Sequence, residues 1–465
     1  MLQTLITSNY LFLFMHIILA TYNYYPFAWG GSEVYVHGLA KFLQNIGHSV
    51  TVIAAVGGEF TEPKPHKKIQ TTNFDVFAYM YDGIEILGVH LKNETTEEVY
   101  SRYNATWIKD WQLILQESGL AQKNIDILHY NGFSSVVSVA IAEALAKEQA
   151  KNNFSKSKVL ASYHTPISCP NGKLLYFREQ ACQIIPTATV CTACFIHSQK
   201  NMPIWGAKIL ANILPTQKIP IPQIPNAIYV KKFVGKSLQS FQKLDNQVDK
   251  WLVFSTYIQT VVEKMGVQSE KIRMLRHGIH EDFLTTQAQE NSRNTDKDTF
   301  IYVGRFEKIK GFPTLLQAWL ALPEQTEKRI LQIVGDLQSN NEEIEQLIKI
   351  AKNRKDILFL GKKNAKEIKK LLQQATCMLI PSEWVEIGPL VLHEAIACGT
   401  NVLVSAIGGT GELAKFYGEG CTTFKMGNKK DLEDKILTFR YQTITHKVRS
   451  QAEHYTLVLE EYRRK

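Results

Sequence analysis

One segment of the chain combines glycines with two basic residues in an order that suits an anionic ligand. Gly304-Arg305 and Lys310-Gly311 follow the apolar run 299–303, which predicts a strand. Arg305 offers a planar fork of N–H donors and Lys310 offers a mobile positive charge, and both kinds of group bind phosphate oxygens. Because Gly304 lets the backbone turn sharply at the end of the strand, the loop predicts that Arg305 and Lys310 bind a pyrophosphate.

A second segment holds two acids at a spacing that excludes one kind of chemistry. Gly388 frees the backbone and Pro389 suits the first turn of a helix, whose amino end presents unpaired N–H groups to an anion. Glu386 precedes this helix and Glu394 lies inside it. Eight positions along a helix span about 12 Å, whereas the two carboxylates of a retaining glycosidase are about 5 Å apart. The two acids are instead suited to binding hydroxyl groups at the two ends of an elongated ligand.

Strands alternate with helices along most of the chain, and these elements must position both segments. The predicted strands are 16–21, 49–55, 84–89, 125–130, 158–163, 299–303, 330–334, 357–360, 377–381 and 401–405. The predicted helices are 34–45, 135–148, 313–321, 341–352, 365–374, 389–398, 431–440 and 454–463. Such alternation predicts α/β architecture with doubly wound parallel sheets, in which ligands bind outside the carboxyl ends of the strands.

A chain of 465 residues exceeds what one hydrophobic core usually supports, so we expect two domains. The polar stretch 291–297 predicts the linker between an amino-terminal domain, 15–290, and a carboxyl-terminal domain, 291–440. Residues 1–14 are predicted to be an N-terminal extension and 441–465 to form a closing helix. The apolar fraction of 45% and charged fraction of 21% exclude a disordered chain.

The net charge of +9 is modest for this length and is compatible with an anionic ligand or an anionic membrane surface. Dense basic runs with interleaved aromatic residues are absent from the sequence, so we expect no nucleic-acid partner. The apolar run 11–20 has no preceding Lys or Arg and is too short to span a bilayer, which favours a first strand over a signal peptide. We expect a cytoplasmic protein that can touch the inner membrane face peripherally.

Four of the seven cysteines crowd into one segment, with the spacing C-x12-C-x8-C-x2-C: Cys169, Cys182, Cys191 and Cys194. A C-x2-C pair with two further thiols suits a structural Zn²⁺ ion or an iron–sulfur cluster. Inert or redox-active thiols are the alternative, and a cytosolic setting disfavours disulfides. A metal bound there is expected to stabilise an insertion at 165–200 on the acceptor side rather than to take part in chemistry.

In their order along the chain, the motifs resemble those of the retaining glycosyltransferases of family four, which have the GT-B fold of two Rossmann-like domains facing each other across a cleft. The resemblance covers most of 15–411, and 59–70 and 195–250 match poorly. Its motifs are Glu386-x7-Glu394, Gly304-Arg305 with Lys310-Gly311, Gly408-Gly409-x-x-Glu412, Gly30-Gly31-x-Glu33 and the segment 271–283. One departure is Arg276-His277, which stands where Pro-Asn or Arg-Asn is more usual in the family.

This resemblance implies roles for the acidic and basic residues. Arg305 and Lys310 would neutralise the diphosphate of a nucleotide-sugar donor, and Glu394 would hold the ribose hydroxyls. Glu386 would grip the transferred sugar together with the backbone amides of Gly388, Leu390 and Val391. His164, after the strand 158–163, would bond a sugar hydroxyl at the reaction centre. Gly30 and Gly31 would permit close backbone approach to the diphosphate or acceptor.

The implied reaction is sugar transfer with retention, by front-face attack, to a glycan, lipid-linked or small-molecule acceptor. It needs no carboxylate nucleophile and no cofactor. Two other functions share this architecture: a UDP-sugar epimerase, and a non-catalytic nucleotide-sugar-binding or regulatory protein. The pairing of Glu386 and Glu394 with Arg305 and Lys310 argues against both.

Overall fold

The computed structural model describes residues 14–28, 30–58, 60–217, 226–284, 297–336 and 341–464. Two compact units divide the chain, one containing Met1–Ser162 and Gln239–Trp251, the other Tyr163–Leu238 and Leu252–Lys465. The N-terminal extension, apart from residue 14, and the linker predicted at 291–297, apart from residue 297, lie outside the described residues. The domain boundary near residue 290 therefore stays a prediction.

The first unit is built on parallel strands flanked by helices. Its strands are β1 (His16–Thr21), β2 (Ser49–Ala55), β3 (Lys67–Gln70), β4 (Phe74–Tyr81), β5 (Ile84–Leu91), β6 (Ile127–Tyr130) and β7 (Lys158–Ser162). Its helices are α1 (Gly31–Asn45), α2 (Thr96–Ser101), α3 (Trp107–Glu117) and α4 (Val139–Lys151). Strand β1 pairs in parallel with both β2 and β6 and is buried over nearly its whole length. The interpretation of its apolar run as a strand is confirmed.

A hairpin that the sequence analysis did not predict extends this sheet. Strands β4 and β5 are antiparallel, with Tyr81 opposite Ile84, so a two-residue turn joins them. Both turn residues are left-handed, Asp82 at φ 47° and Gly83 at φ 73°. An Asp-Gly pair is a strong hairpin signal because the turn that matches the twist of the strands requires positive φ at both positions.

The remaining elements follow in chain order. The helices are α5 (Ala188–Lys200), α6 (Ile204–Ile213), α7 (Val230–Gln247), α8 (Thr256–Lys264), α9 (Phe312–Ala321), α10 (Glu342–Ala351), α11 (Ala365–Gln374), α12 (Leu390–Ala397), α13 (Gly408–Tyr417), α14 (Lys429–Leu437) and α15 (Gln451–Arg463). The strands are β8 (Leu175–Tyr176), β9 (Gln180–Ala181), β10 (Lys250–Val253), β11 (Ile272–Met274), β12 (Asp298–Val303), β13 (Arg329–Val334), β14 (Ile357–Gly361), β15 (Cys377–Ile380), β16 (Asn401–Ser405) and β17 (Cys421–Phe424). None of the described helices combines the length and apolar character needed to cross a bilayer.

Two large sheets result. The first has nine strands in the order β11-β10-β7-β6-β1-β2-β5-β4-β3, and the second has six in the order β14-β13-β12-β15-β16-β17. All strand pairs of the second sheet are parallel. Its two faces carry separate apolar clusters, one around Phe300 and Trp319 and the other around Ile301 and Leu392. Helices therefore cover both faces, and the predicted α/β, doubly wound architecture is confirmed.

Candidate active site

The strand order of the second sheet places its ligand site. The chain starts at β12, moves outward to β13 and β14, and then returns to β15 on the other side of β12. Ligands of such sheets bind in the crevice at the carboxyl ends of the two strands where the order reverses. Those strands are β12 and β15, and the loops that follow them are 304–311 and 381–389. These are the two segments that the sequence analysis selected.

Backbone contacts hold the two loops together. The N–H of Glu383 donates to the carbonyl of Ile309 at 2.9 Å. Gly311 has a left-handed φ of 67°, and a Cβ at this position would collide with the carbonyl oxygen of Pro381. A side chain at residue 311 would therefore strain the backbone and push the loops apart. The loops form one rigid edge on which side chains can be positioned.

A partly buried ion pair lies on this edge. The Nζ of Lys310 lies 2.7 Å from Oε1 of Glu386, and the Lys310 and Glu386 side chains are 25% and 12% exposed. Ser382 donates from its hydroxyl to the same oxygen at 2.9 Å. The backbone carbonyl of Glu386 accepts from the N–H of Gly409 at 2.9 Å, which attaches the loop after β16. Two donors and a fixed backbone thus orient the carboxylate of Glu386.

Arg305 does not join this pair. Its side chain is 66% exposed, and Nη1 lies 2.8 Å from Oε1 of Glu307. Its backbone is held in place because the hydroxyl of Tyr302 donates to the Arg305 carbonyl at 2.7 Å. The guanidinium therefore starts from a fixed point at the end of β12, with its fork of donors accessible to solvent.

Helix α12 supplies a positive dipole end beside Glu386. The helix begins at Leu390, and its N-cap, Pro389, makes no side-chain hydrogen bond to it. The first amides of a helix have no intrahelical acceptor, so those of Leu390 and Val391 are suited to an anionic ligand. Gly388 precedes them without a side chain that would obstruct the approach.

Glu394 lies in the second turn of α12, between core residues. Leu392, Ala395 and Ile396 are buried around it. Burial raises the pKa of Glu394 to about 7, because a carboxylate loses solvation when it leaves water. Hydrogen bonds from ligand hydroxyl groups would restore part of that solvation, which suits the role predicted for this residue.

The histidine predicted at the reaction centre belongs to a stack of rings in the same unit. His164 stacks on Phe254 with ring centroids 4.5 Å apart, and Phe254 stacks on His277 at 4.0 Å. A Cβ on Gly388 would lie 3.1 Å from Cδ2 of His277. The stack therefore meets the loop that carries Glu386, two residues from it.

His277 is neutral in this stack. Burial lowers its pKa well below the usual value, and His454, His164 and His393 lower it further. The segment around it is fixed by the C-terminal helix, because the carbonyl of Arg276 accepts a hydrogen bond from Nδ1 of His454 at 3.0 Å. At the position where the sequence departs from the family pattern, Arg276-His277, the imidazole of His277 is thus packed among aromatic rings.

Sequence reasoning did not identify the function of Glu412, which belongs to the Gly-Gly-x-x-Glu motif. Its carboxylate accepts from the N–H groups of Thr256 and Tyr257 at 2.9 and 2.8 Å, at the start of α8. It also pairs with Nη2 of Arg276 at 3.1 Å. Glu412 therefore caps α8 and holds the segment that carries His277, and no local pattern indicates a partner 156 residues away.

The glycines Gly30 and Gly31 lie in the first unit, at the start of α1. Gly30 is the N-cap and, having no side chain, cannot cap the first amides of the helix. Glu33 is buried in the first turn and accepts from the hydroxyl of Ser32 at 3.1 Å. A Cβ on Gly30 would collide with Oε2 of Glu33, so this carboxylate lies against the amino end of α1, and the role of the two glycines stays a prediction.

The four clustered cysteines lie near one another, before and within α5. Burial raises the pKa of Cys182 to about 11 and that of Cys191 to about 12, and the neighbouring thiols contribute to both shifts. Cys194 donates to the carbonyl of Leu175 and accepts from the N–H of Phe177, each at 3.4 Å. Among the described residues no group of three or more His, Cys, Asp or Glu is arranged to hold a metal ion, so metal binding here remains a prediction.

Comparison with known proteins agrees with the motifs. A family model described as "Glycosyl transferases group 1" matches residues 285–452, and one described as "Glycosyltransferase Family 4" matches residues 29–193. An uncharacterized glycosyltransferase of Methanocaldococcus jannaschii is 30% identical over 167 residues, which are 34% of this chain and 42% of that protein. The alignment thus spans less than half of that relative.

Solved structures share the fold at low identity. Sucrose-phosphate synthase from Thermosynechococcus elongatus superposes with a TM-score of 0.54 at 16% identity, covering 91% of this chain and 89% of that one. The Anabaena protein Alr3699/HepE, crystallised with UDP and glucose, gives a TM-score of 0.54 at 15% identity and covers 96% and 95%.

Proposed function

The chain belongs to the family-four glycosyltransferases and has their GT-B fold of two Rossmann-like units, and on this premise we propose a specific reaction for it. The protein transfers a sugar from a nucleotide-diphosphate sugar, with retention, to a glycan, lipid-linked or small-molecule acceptor. The observation that carries the proposal is the ion pair between Lys310 and Glu386. It lies beside the start of α12, at the edge of the second sheet where the strand order reverses between β12 and β15. A solved protein of the same fold was crystallised with UDP and glucose, which supports a nucleotide-sugar donor.

The diphosphate binds where positive charge is available. Lys310 supplies an ammonium group, and the first amides of α12 supply N–H donors and the positive end of a dipole. The guanidinium of Arg305 releases the carboxylate of Glu307 and binds a phosphate oxygen instead. These groups stabilise the negative charge that grows on the leaving phosphate as the glycosidic bond breaks, and preorganised charge of this kind is usually the largest contribution to catalysis. The proposed reaction therefore needs no divalent ion.

The two acids bind hydroxyl groups at opposite ends of the donor. Glu386 is oriented by Lys310 and Ser382, and its carboxylate accepts from a hydroxyl of the transferred sugar. Glu394 accepts from the ribose hydroxyls, and this interaction requires the ionised carboxylate.

The bond changes balance without a covalent enzyme intermediate. The bond between the anomeric carbon and the phosphate oxygen breaks, and the acceptor oxygen forms its bond on the same face. The acceptor proton passes to the leaving phosphate oxygen. His164, stacked on Phe254, bonds a sugar hydroxyl and holds the sugar ring for this attack.

A panel of nucleotide sugars with an acceptor library tests the proposal. We expect release of a nucleoside diphosphate that depends on the acceptor, and a product whose anomeric configuration, read by NMR, matches the donor. Inverted product would overturn retention. Epimerised donor without nucleotide release would identify the isomerase, and binding without turnover would identify the non-catalytic protein.

A further inference from the structure

Helix α6 carries an apolar stripe on its exposed face. Trp205, Ile209 and Ile213 are 70%, 58% and 73% exposed. Their i, i+4, i+8 spacing places them in one row along the helix. The opposite face is formed by Ala207 and Ala211, which are fully buried. The stripe is therefore not the core-facing side of α6, because the helix already packs on the core through its small residues.

The chain around α6 contains no acid. Residues 180–244 include seven lysines and neither Asp nor Glu, although roughly one residue in ten of the whole chain is acidic. Lys208 is exposed on α6 itself, and its Nζ lies 5.7 Å from the ring centroid of Phe177. Lys200, at the end of α5 and four residues before α6 begins, is exposed as well. The Asp, Glu, Lys and Arg residues of this stretch are therefore all lysines, and two exposed ones, Lys200 and Lys208, lie on or next to α6.

We propose that α6 docks on the surface of an anionic lipid bilayer. Trp205, Ile209 and Ile213 insert at the level of the headgroups, and the exposed Lys200 and Lys208 contact lipid phosphates. An amphipathic helix with a tryptophan and aliphatic residues on one face and lysines beside it binds membranes in this way, by apolar burial together with attraction to anionic lipids.

Two features favour a bilayer over an acidic protein. A stable protein interface buries about 800 Å² on each partner, which is more than three side chains on a ten-residue helix provide. Lysine is also depleted at protein interfaces, whereas it is the residue that juxtamembrane surfaces accumulate. A lipid surface requires no matching shape and uses both the stripe and the charge. This inference is independent of the proposed reaction.

Vesicle flotation of the full chain tests it. We expect binding to phosphatidylcholine vesicles that contain phosphatidylglycerol, weaker binding to pure phosphatidylcholine, and loss of binding as salt rises. Replacing both Trp205→Ser and Ile209→Ser should lower the partition coefficient roughly tenfold or more. The matched control is Ile350→Ser, which removes an isoleucine of similar exposure, 54%, from α10 and should leave binding unchanged.

Separate variants test the contribution of the lysine charge and the insertion of the tryptophan. Lys208→Glu should weaken binding to anionic vesicles, whereas Lys366→Glu on α11, also exposed, should not. The shift in tryptophan emission on adding vesicles should disappear in Trp205→Phe. Circular dichroism of each variant checks that the fold is kept, as expected for exposed positions. The proposal would be overturned if the wild-type protein did not bind anionic vesicles, or if the double serine variant bound them equally well. Capture of an acidic protein without vesicle binding would also overturn it.

Discussion

The ammonium group of Lys310 lies 2.7 Å from a carboxylate oxygen of Glu386, and the two residues reach this contact from loops that follow neighbouring parallel strands. The contact joins the two segments that the sequence analysis selected separately. It fixes the positions of the cation that we propose for the donor diphosphate and of the acid that we propose for the transferred sugar. The predictions below test these positions and the packing around them.

Replacing Lys310→Met should lower turnover by about 10²- to 10³-fold, because the charge that stabilises the leaving phosphate is removed. The matched control is Lys308→Met, two residues away on the same turn, where the lysine pairs with Glu343 at 2.5 Å and is more than half exposed. This control should retain nearly full activity. The rate of nucleotide release, measured for both variants, tests this prediction. Equal losses of activity in the two variants would contradict a specific role for Lys310.

Glu394 should make donor affinity depend on pH. Its pKa is raised to about 7, and the ribose hydroxyls need the ionised form. Affinity for a nucleotide sugar, whose own phosphates do not titrate in this range, should therefore fall about tenfold from pH 8 to pH 6. Calorimetric titration measures it. Glu394→Gln should give a flat profile, and an unchanged slope in that variant would assign the effect to another group.

The same shift has a consequence for stability. The folded-state pKa of Glu394 lies above its usual value of 4.5, so the folded protein binds the proton more tightly than the unfolded chain does. The contribution of this group to stability is then present below pH 4.5 and is lost as pH rises through about 7. Glu394→Gln should raise the free energy of unfolding at pH 8 by up to about 3 kcal/mol, and at pH 4 by much less.

His164→Ala should lower kcat about 100-fold and change the donor KM little, because the lost hydrogen bond acts at the reaction centre. His446→Ala, at an exposed position, serves as the control. Steady-state kinetics with the donor as the varied substrate separates the two constants. A rise in KM with kcat unchanged would limit His164 to ground-state binding.

Glu412→Ala should destabilise the protein by about 2–3 kcal/mol, since two backbone N–H groups of α8 and the guanidinium of Arg276 lose a charged partner. Thermal unfolding measures the change, with the exposed Glu419→Ala as the comparison. Similar unfolding temperatures for the two variants would show that the cap contributes little.

Much of the second sheet could be predicted from the sequence. Helix α11 and strand β16 have the predicted bounds, 365–374 and 401–405, and the strands around them differ by one residue. Short apolar runs between polar turns give clear signals when a strand is buried on both faces. Helices α5 to α7 were not predicted, because the region 180–250 that contains them has few acids and weak polar periodicity, and α8, which follows at Thr256–Lys264, was not predicted either.

The candidate site could be predicted only in part. That the loops after β12 and β15 lie at one edge follows from the alternation of elements. The choice of Glu386 as the partner of Lys310, with Arg305 paired to Glu307, depends on side-chain geometry that spacing does not contain. The cap formed by Glu412 and the ring stack of His164, Phe254 and His277 join distant segments and require the folded chain.

Calorimetric titration of nucleoside diphosphates with different bases into wild-type protein and the Lys310→Met and Lys308→Met variants tests the central claim most directly. We expect that one nucleotide binds the wild-type protein, that Lys310→Met loses at least about tenfold in affinity, and that Lys308→Met does not. Equal affinity in all three proteins, or no binding of any nucleotide to the wild-type chain, would contradict it.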